Sequence, residues 1–68
     1  MLDNWVLIYS SAQLYDAELV RSMMAENDIE CVIMNKQDSA YRFGDIEVYV
    51  PITEAFKAKQ LIVNFRSE

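Results

Sequence analysis

Hydrophobic and polar residues follow two different spacings along the chain, and the changes of spacing mark the elements. Apolar residues run together or alternate in three short segments, as in strands, and recur every three or four residues in two longer segments, as in helices. The predicted order is β-α-β-β-α in one domain, with a strand at about 5–9, a helix at 12–27, a strand at 29–35, a loop at 35–44, a strand at 45–50 and a helix at 54–66.

The third strand has the clearest alternation in the chain. Its isoleucine and two valines, at 46, 48 and 50, point to one face, whereas Asp45, Glu47 and Tyr49 point to the other. Pro51 follows and ends the strand, because proline has no amide hydrogen to give to a ladder. We therefore expect this strand at the centre of the sheet.

Polar residues mark the ends of the predicted helices. Ser10 and Gln13 have the spacing of a capping box, and a start at Ser11 is nearly as good. Asn27 is suited to the left-handed position that ends the first helix. Thr53 is placed to cap the second helix.

The order of the elements restricts how the strands pair. Strands one and two are joined by a helix, so they are expected to be parallel with a right-handed crossover. Strand three follows strand two closely and is expected to be antiparallel to it. The compact solution places strand three between the other two, in the order 2-3-1, with both helices on one face. This α+β fold is a ferredoxin-like βαββα arrangement that lacks the fourth strand.

Such a sheet leaves an outer edge and one whole face uncovered. The edge of strand one has no proline or lysine to prevent pairing with another chain. On the uncovered face, Glu47 and Tyr49 are joined by an apolar set from strand one. That set is either Trp5, Leu7 and Tyr9 or Val6 and Ile8. We favour the aromatic set, because aliphatic side chains suit the thin layer beneath small helix residues. A second copy, in a homodimer, or another protein is expected to cover this face.

Composition and charge limit the possible partners. The net charge of −5 opposes binding to nucleic acid and to anionic lipid, so neither is predicted as a partner. Hydrophobic residues make up 53% of only 68 residues, so some apolar surface is expected to meet a partner. A single cysteine and a start that does not resemble a signal peptide indicate a cytoplasmic protein.

Residues suited to catalysis or metal binding are few. The chain has no histidine, the commonest acid-base group at neutral pH. Cys31 lies among apolar neighbours and is interpreted as a small buried hydrophobic residue. One cysteine without histidine cannot form a zinc site within one chain. We therefore predict no enzymatic activity and no cofactor. Lys36 and Arg42, in the loop, are the candidates for contact with an anionic ligand.

Several segments together resemble a known family. They are the Trp5–Ser11 run, the Asp16-Ala17 pair, Ile29, the Ile46–Val50 strand and the alanines Ala55 and Ala58. The chain resembles the family described as putative prokaryotic signal-transducing proteins, short bacterial domains related to the nitrogen-regulatory PII proteins. It has Asp28 where many members have glycine. The resemblance implies sensing of a ligand or partner, and it does not carry over the PII trimer or nucleotide site.

Two functions are compatible with these observations. The first is a non-enzymatic interaction module that uses the uncovered face, the strand edge and the 35–44 loop, with Trp5, Tyr9, Glu47 and Tyr49 as contact residues. The alternative, implied by the resemblance, is a PII-like sensor that binds an anionic metabolite or nucleotide near Lys36 and Arg42.

Overall fold

A computed structural model of the chain describes residues 4–35 and 46–66, which form three strands and two helices. In order they are β1 (Trp5–Ser11), α1 (Leu14–Glu26), β2 (Val32–Asn35), β3 (Ile46–Pro51) and α2 (Ala55–Arg66), with a 3-10 turn at Ile52–Glu54 before α2. Neither helix in these two ranges has the length and apolar character needed to span a membrane.

The strands form one antiparallel sheet in the order β1-β3-β2. Counted from the opposite edge, the same neighbours read 2-3-1, with β3 in the centre. Because β1 and β2 are both antiparallel to β3, they are parallel to each other without being neighbours. The architecture is therefore α+β, and the alternating strand lies between the other two.

The hydrophobic core lies between one face of the sheet and both helices. Its members are Ile46, Val48 and Val50 of β3, Ala17, Val20 and Met24 of α1, Ile29 after α1, and Ala58 and Ile62 of α2. Each Val, Ile or Met that is fully removed from water contributes about 1.5–3 kcal/mol. The two alanines bring the helix backbones close to the sheet. Since both helices contact the same side of β3, neither packs on the other face.

An irregularity in the middle of β1 makes the prediction for Tyr9 wrong. Leu7 pairs with Tyr49, but the register shifts at Ile8, so that Tyr9 pairs with Val48. One extra residue in a strand turns the side chains that follow it to the opposite face. Tyr9 therefore packs against the core on the helix side of the sheet.

The first helix begins without the predicted capping box. β1 continues through Ser10 and Ser11, and the Gln13 side chain, at the N-cap position, makes no capping bond. The Ser11 hydroxyl oxygen accepts a hydrogen bond from the backbone amide of Gln13 at 3.0 Å. The same hydroxyl donates a hydrogen bond to the Asp16 carboxylate at 2.9 Å. Ser11, the alternative start, thus holds the turn into α1.

The end of α1 has a left-handed residue one position later than predicted. Asp28 has a φ of 61°, whereas Asn27 has a φ of −108°. The amides of Asp28 and Ile29 donate to the carbonyls of Ala25 and Met24, at 3.1 and 2.9 Å. This is the Schellman pattern, in which two carbonyls of the last helical turn receive backbone donors. Ile29 and Met24 are both buried, which supplies the apolar contact that accompanies the motif.

The second helix also begins without its predicted cap. Thr53 lies inside the 3-10 turn that joins β3 to α2. The amide of Ile52 at the start of this turn donates to the carbonyl of Asn4 at 2.7 Å. The turn is thereby tied to the residue that precedes β1.

Candidate functional site

The sheet face that neither helix covers, here called the open face, consists of the residues that alternate with the buried ones. Cross-strand partners in an antiparallel sheet point to the same side, so the pairing identifies the members. They are Trp5, Leu7 and Ser10 of β1, Val32 and Met34 of β2, and Glu47, Tyr49 and Pro51 of β3.

Tyr49 lies at the centre of the open face. Its cross-strand partners are Leu7 on one side and Val32 on the other, so three apolar side chains form a row across the whole sheet. Directly opposed residues have Cβ atoms about 4.5–5.5 Å apart, which places these side chains in contact range. Leu7 remains 45% exposed. A contiguous apolar row of this kind is typical of a contact surface.

The neighbouring row places one carboxylate beside this apolar strip. Glu47 lies between Ser10 and Met34. The Tyr49 hydroxyl donates a hydrogen bond to Glu47 Oε1 at 2.8 Å. The two side chains share a face because they are two residues apart on one strand. The bond fixes the direction of the phenol and holds the carboxylate at the border of the apolar row.

The structure brings together three of the six residues predicted for the site. Trp5, Glu47 and Tyr49 lie on the open face, with Trp5 opposite Pro51. Tyr9 lies on the helix side. Lys36 and Arg42, together with most of the 35–44 loop, lie outside the described residues.

Sequence reasoning missed the contribution of β2 to the open face. Val32 and Met34 belong to this face, whereas Ile33, between them, pairs with Val48 and packs against the core. The segment is apolar on both faces, so its own pattern does not distinguish them. The signal that could have found them is the register with β3, because Val32 lies opposite Tyr49.

A shallow groove of about 330 Å³ lies beside β1, under α2. It is lined by Leu7, Ile8, Tyr9, Ser10 and Ile62. Among the described strands β1 pairs only with β3, so the groove lies at the outer edge of the sheet. The register shift at Ile8 lies in this edge, and such shifts are one way in which proteins limit pairing between edges. Leu7 and Ser10 connect the groove with the open face.

All eight residues of the open face fall within the span of one known family. A family model described as "putative prokaryotic signal transducing protein" matches residues 5–66 of the chain. The chain belongs to this family. The match includes every strand and helix of the fold. Neither the curated proteins nor the solved structures give a significant match.

Within this family member, Cys31 has the character of a structural residue. It lies just before β2 and is half-buried. Burial raises the pKa of its thiol, while Arg21 lowers that pKa and Glu18 raises it by smaller amounts. A thiol with a raised pKa stays protonated at neutral pH, and the protonated form is a poor nucleophile. In residues 4–35 and 46–66, no three side chains suited to metal binding come together.

Proposed function

We propose that this chain is a non-enzymatic interaction module in signal transduction, and that its open face binds another protein in the cytoplasm. The observation that carries the proposal is the row formed by Leu7, Tyr49 and Val32. The core is built on the other side of the sheet. The row therefore supplies apolar contact surface on the side that neither helix covers.

The absence of a catalytic role is part of the proposal. It is supported by a sequence without histidine and by a half-buried thiol whose raised pKa keeps it protonated. The net charge of −5 supports a protein partner over nucleic acid or anionic lipid. The PII-like alternative depends on Lys36 and Arg42, outside the described residues, so the open face carries the proposal.

The chemistry of the open face indicates what such a partner presents. An apolar patch would cover the central row. We propose a different protein as the occupant of the open face, and a second copy is an outcome that the test below distinguishes.

Photo-crosslinking from position 49 tests this proposal. Tyr49 is replaced by a benzophenone-bearing phenylalanine, which keeps an aromatic ring there, and the cells that express the full chain are irradiated. The expected product is a discrete adduct with a protein other than the chain itself. Ile52, a 58% exposed residue of the 3-10 turn outside the open face, provides the control position.

The identity of the adducts decides the outcome. An adduct that forms from position 49 and not from position 52 supports the open face as the binding site. The same adducts from both positions, or none from position 49, contradict the proposal. An adduct between two copies from position 49 would show that a second copy, and not another protein, occupies the open face.

A further inference from the structure

The outer surface of the helix layer carries apolar side chains that the core does not use. Phe56 and Val63 of α2 are 77% and 58% exposed, and Tyr15 and Leu19 of α1 are 71% and 38% exposed. At 3.6 residues per turn, these residues lie opposite the buried side of their own helices. α1 and α2 contact each other, so these four residues lie on the outer side of one helix layer, and we call them together the outer helix strip.

The two helices carry opposite charges. α1 has three acidic residues and one arginine, whereas α2 has two lysines, one arginine and no acidic residue. Glu18 and Glu26 are exposed on α1, and Lys57 and Lys59 are exposed on α2. Glu18 lies 3.9 Å from Arg21 on the same helix, but both side chains are more than half exposed. Such a pair is weak, so it competes little with a partner's charge.

We propose that two copies of the chain dimerise through the outer helix strip, with α1 of each protomer on α2 of its partner. A two-fold axis between the two helix layers produces two identical α1–α2 contacts. Each contact covers the apolar side chains of both helices and places glutamates of one copy near lysines of the other. The alternative alignment, α1 on α1, opposes like charges, so charge selects the alignment.

This dimer uses a surface separate from the open face. The helix layers meet in the middle, and the two open faces point outward on opposite sides. The inference does not depend on the proposed function, because either surface can fail without the other.

Charge reversal followed by mixing tests the dimer in the full chain. Sedimentation equilibrium is recorded for the wild type, for Glu18→Lys with Glu26→Lys, and for Lys57→Glu with Lys59→Glu. We expect a wild-type dimer and at least about tenfold weaker association of each reversed variant. An equimolar mixture of the two variants is expected to restore association, because both contacts of the mixed dimer again join opposite charges.

Net charge provides the internal control. Two Glu→Lys changes move the net charge from −5 to −1, since each adds two positive units. If overall repulsion governed association, this variant would dimerise more tightly than the wild type, and that result would overturn the proposal. A wild type that stays monomeric at high micromolar concentration, or a mixture of folded variants that does not restore association, would also overturn it. Circular dichroism checks that each variant is folded.

Discussion

The six residues of β3 divide between two faces of the sheet that have different roles. Ile46, Val48 and Val50 have no exposed surface and contact both helices through the core. Glu47 and Tyr49 alternate with them, remain half-buried and have their neighbours on the adjacent strands. The helix side of β3 contains the packing that maintains the fold, whereas substitutions on the open face are expected to change the free energy of unfolding less.

Two methionines on opposite sides of the sheet, one on α1 and one on β2, are expected to differ most in their effect on stability. Met24 is fully buried, whereas Met34, on the open face, is 38% exposed. Met24→Ala is expected to lower the free energy of unfolding by about 2–5 kcal/mol, because it leaves a cavity in the core. Met34→Ala is expected to change it by less than about 0.5 kcal/mol. Urea unfolding of both variants measures the difference, and equal losses would show that the faces do not differ in this way.

Two adjacent serines at the end of β1 give a smaller contrast. The Ser11 hydroxyl forms hydrogen bonds with the backbone amide of Gln13 and with the Asp16 carboxylate. Ser11→Ala is therefore expected to destabilise the fold by about 1 kcal/mol. Ser10 is exposed on the open face, and Ser10→Ala is expected to cost less than about 0.5 kcal/mol. Chemical denaturation of the pair measures both values. A greater loss from Ser10→Ala would favour the capping box over the observed turn.

The left-handed residue after α1 is expected to give the smallest effect and the opposite sign. Asp28→Gly should stabilise the fold by about 0.5–1 kcal/mol, because glycine adopts a positive φ without steric cost. Asn27→Gly should destabilise it, since Asn27 Nδ2 donates to the Met23 carbonyl at 2.9 Å. Thermal unfolding measures both changes. A lower melting temperature for Asp28→Gly would mean that the carboxylate has a role beyond the backbone conformation.

The sequence predicted the centre of the fold better than its borders. Strict alternation in β3 has a defined phase, so its buried and open sides could be assigned from the residue pattern alone. The run from Trp5 to Tyr9 is apolar throughout, so its pattern does not show which side chains face the helices. The register shift at Ile8 and the inward position of Tyr9 could therefore not be predicted. β2 has the same ambiguity, so Val32 and Met34 were missed as members of the open face.

The remaining errors involve neighbouring residues with similar chemistry. Ser10 and Ser11 are both suited to the start of a helix, and only their positions relative to Asp16 distinguish them. Asn27 and Asp28 both tolerate the left-handed conformation. Which of them adopts it depends on where the last helical hydrogen bond forms, and tertiary contacts of Ile29 and Met24 decide that position.

Binding through the apolar row of the open face is tested most directly by the yield of the photo-adduct from position 49 in a chain with Leu7→Thr and Val32→Thr. Threonine keeps the β-branched shape suited to a strand while it removes the apolar surface on both sides of the row. We expect the yield to fall at least about tenfold in a chain that remains folded, because a contact surface depends on a few central residues. An unchanged yield from the folded variant would contradict binding through this row.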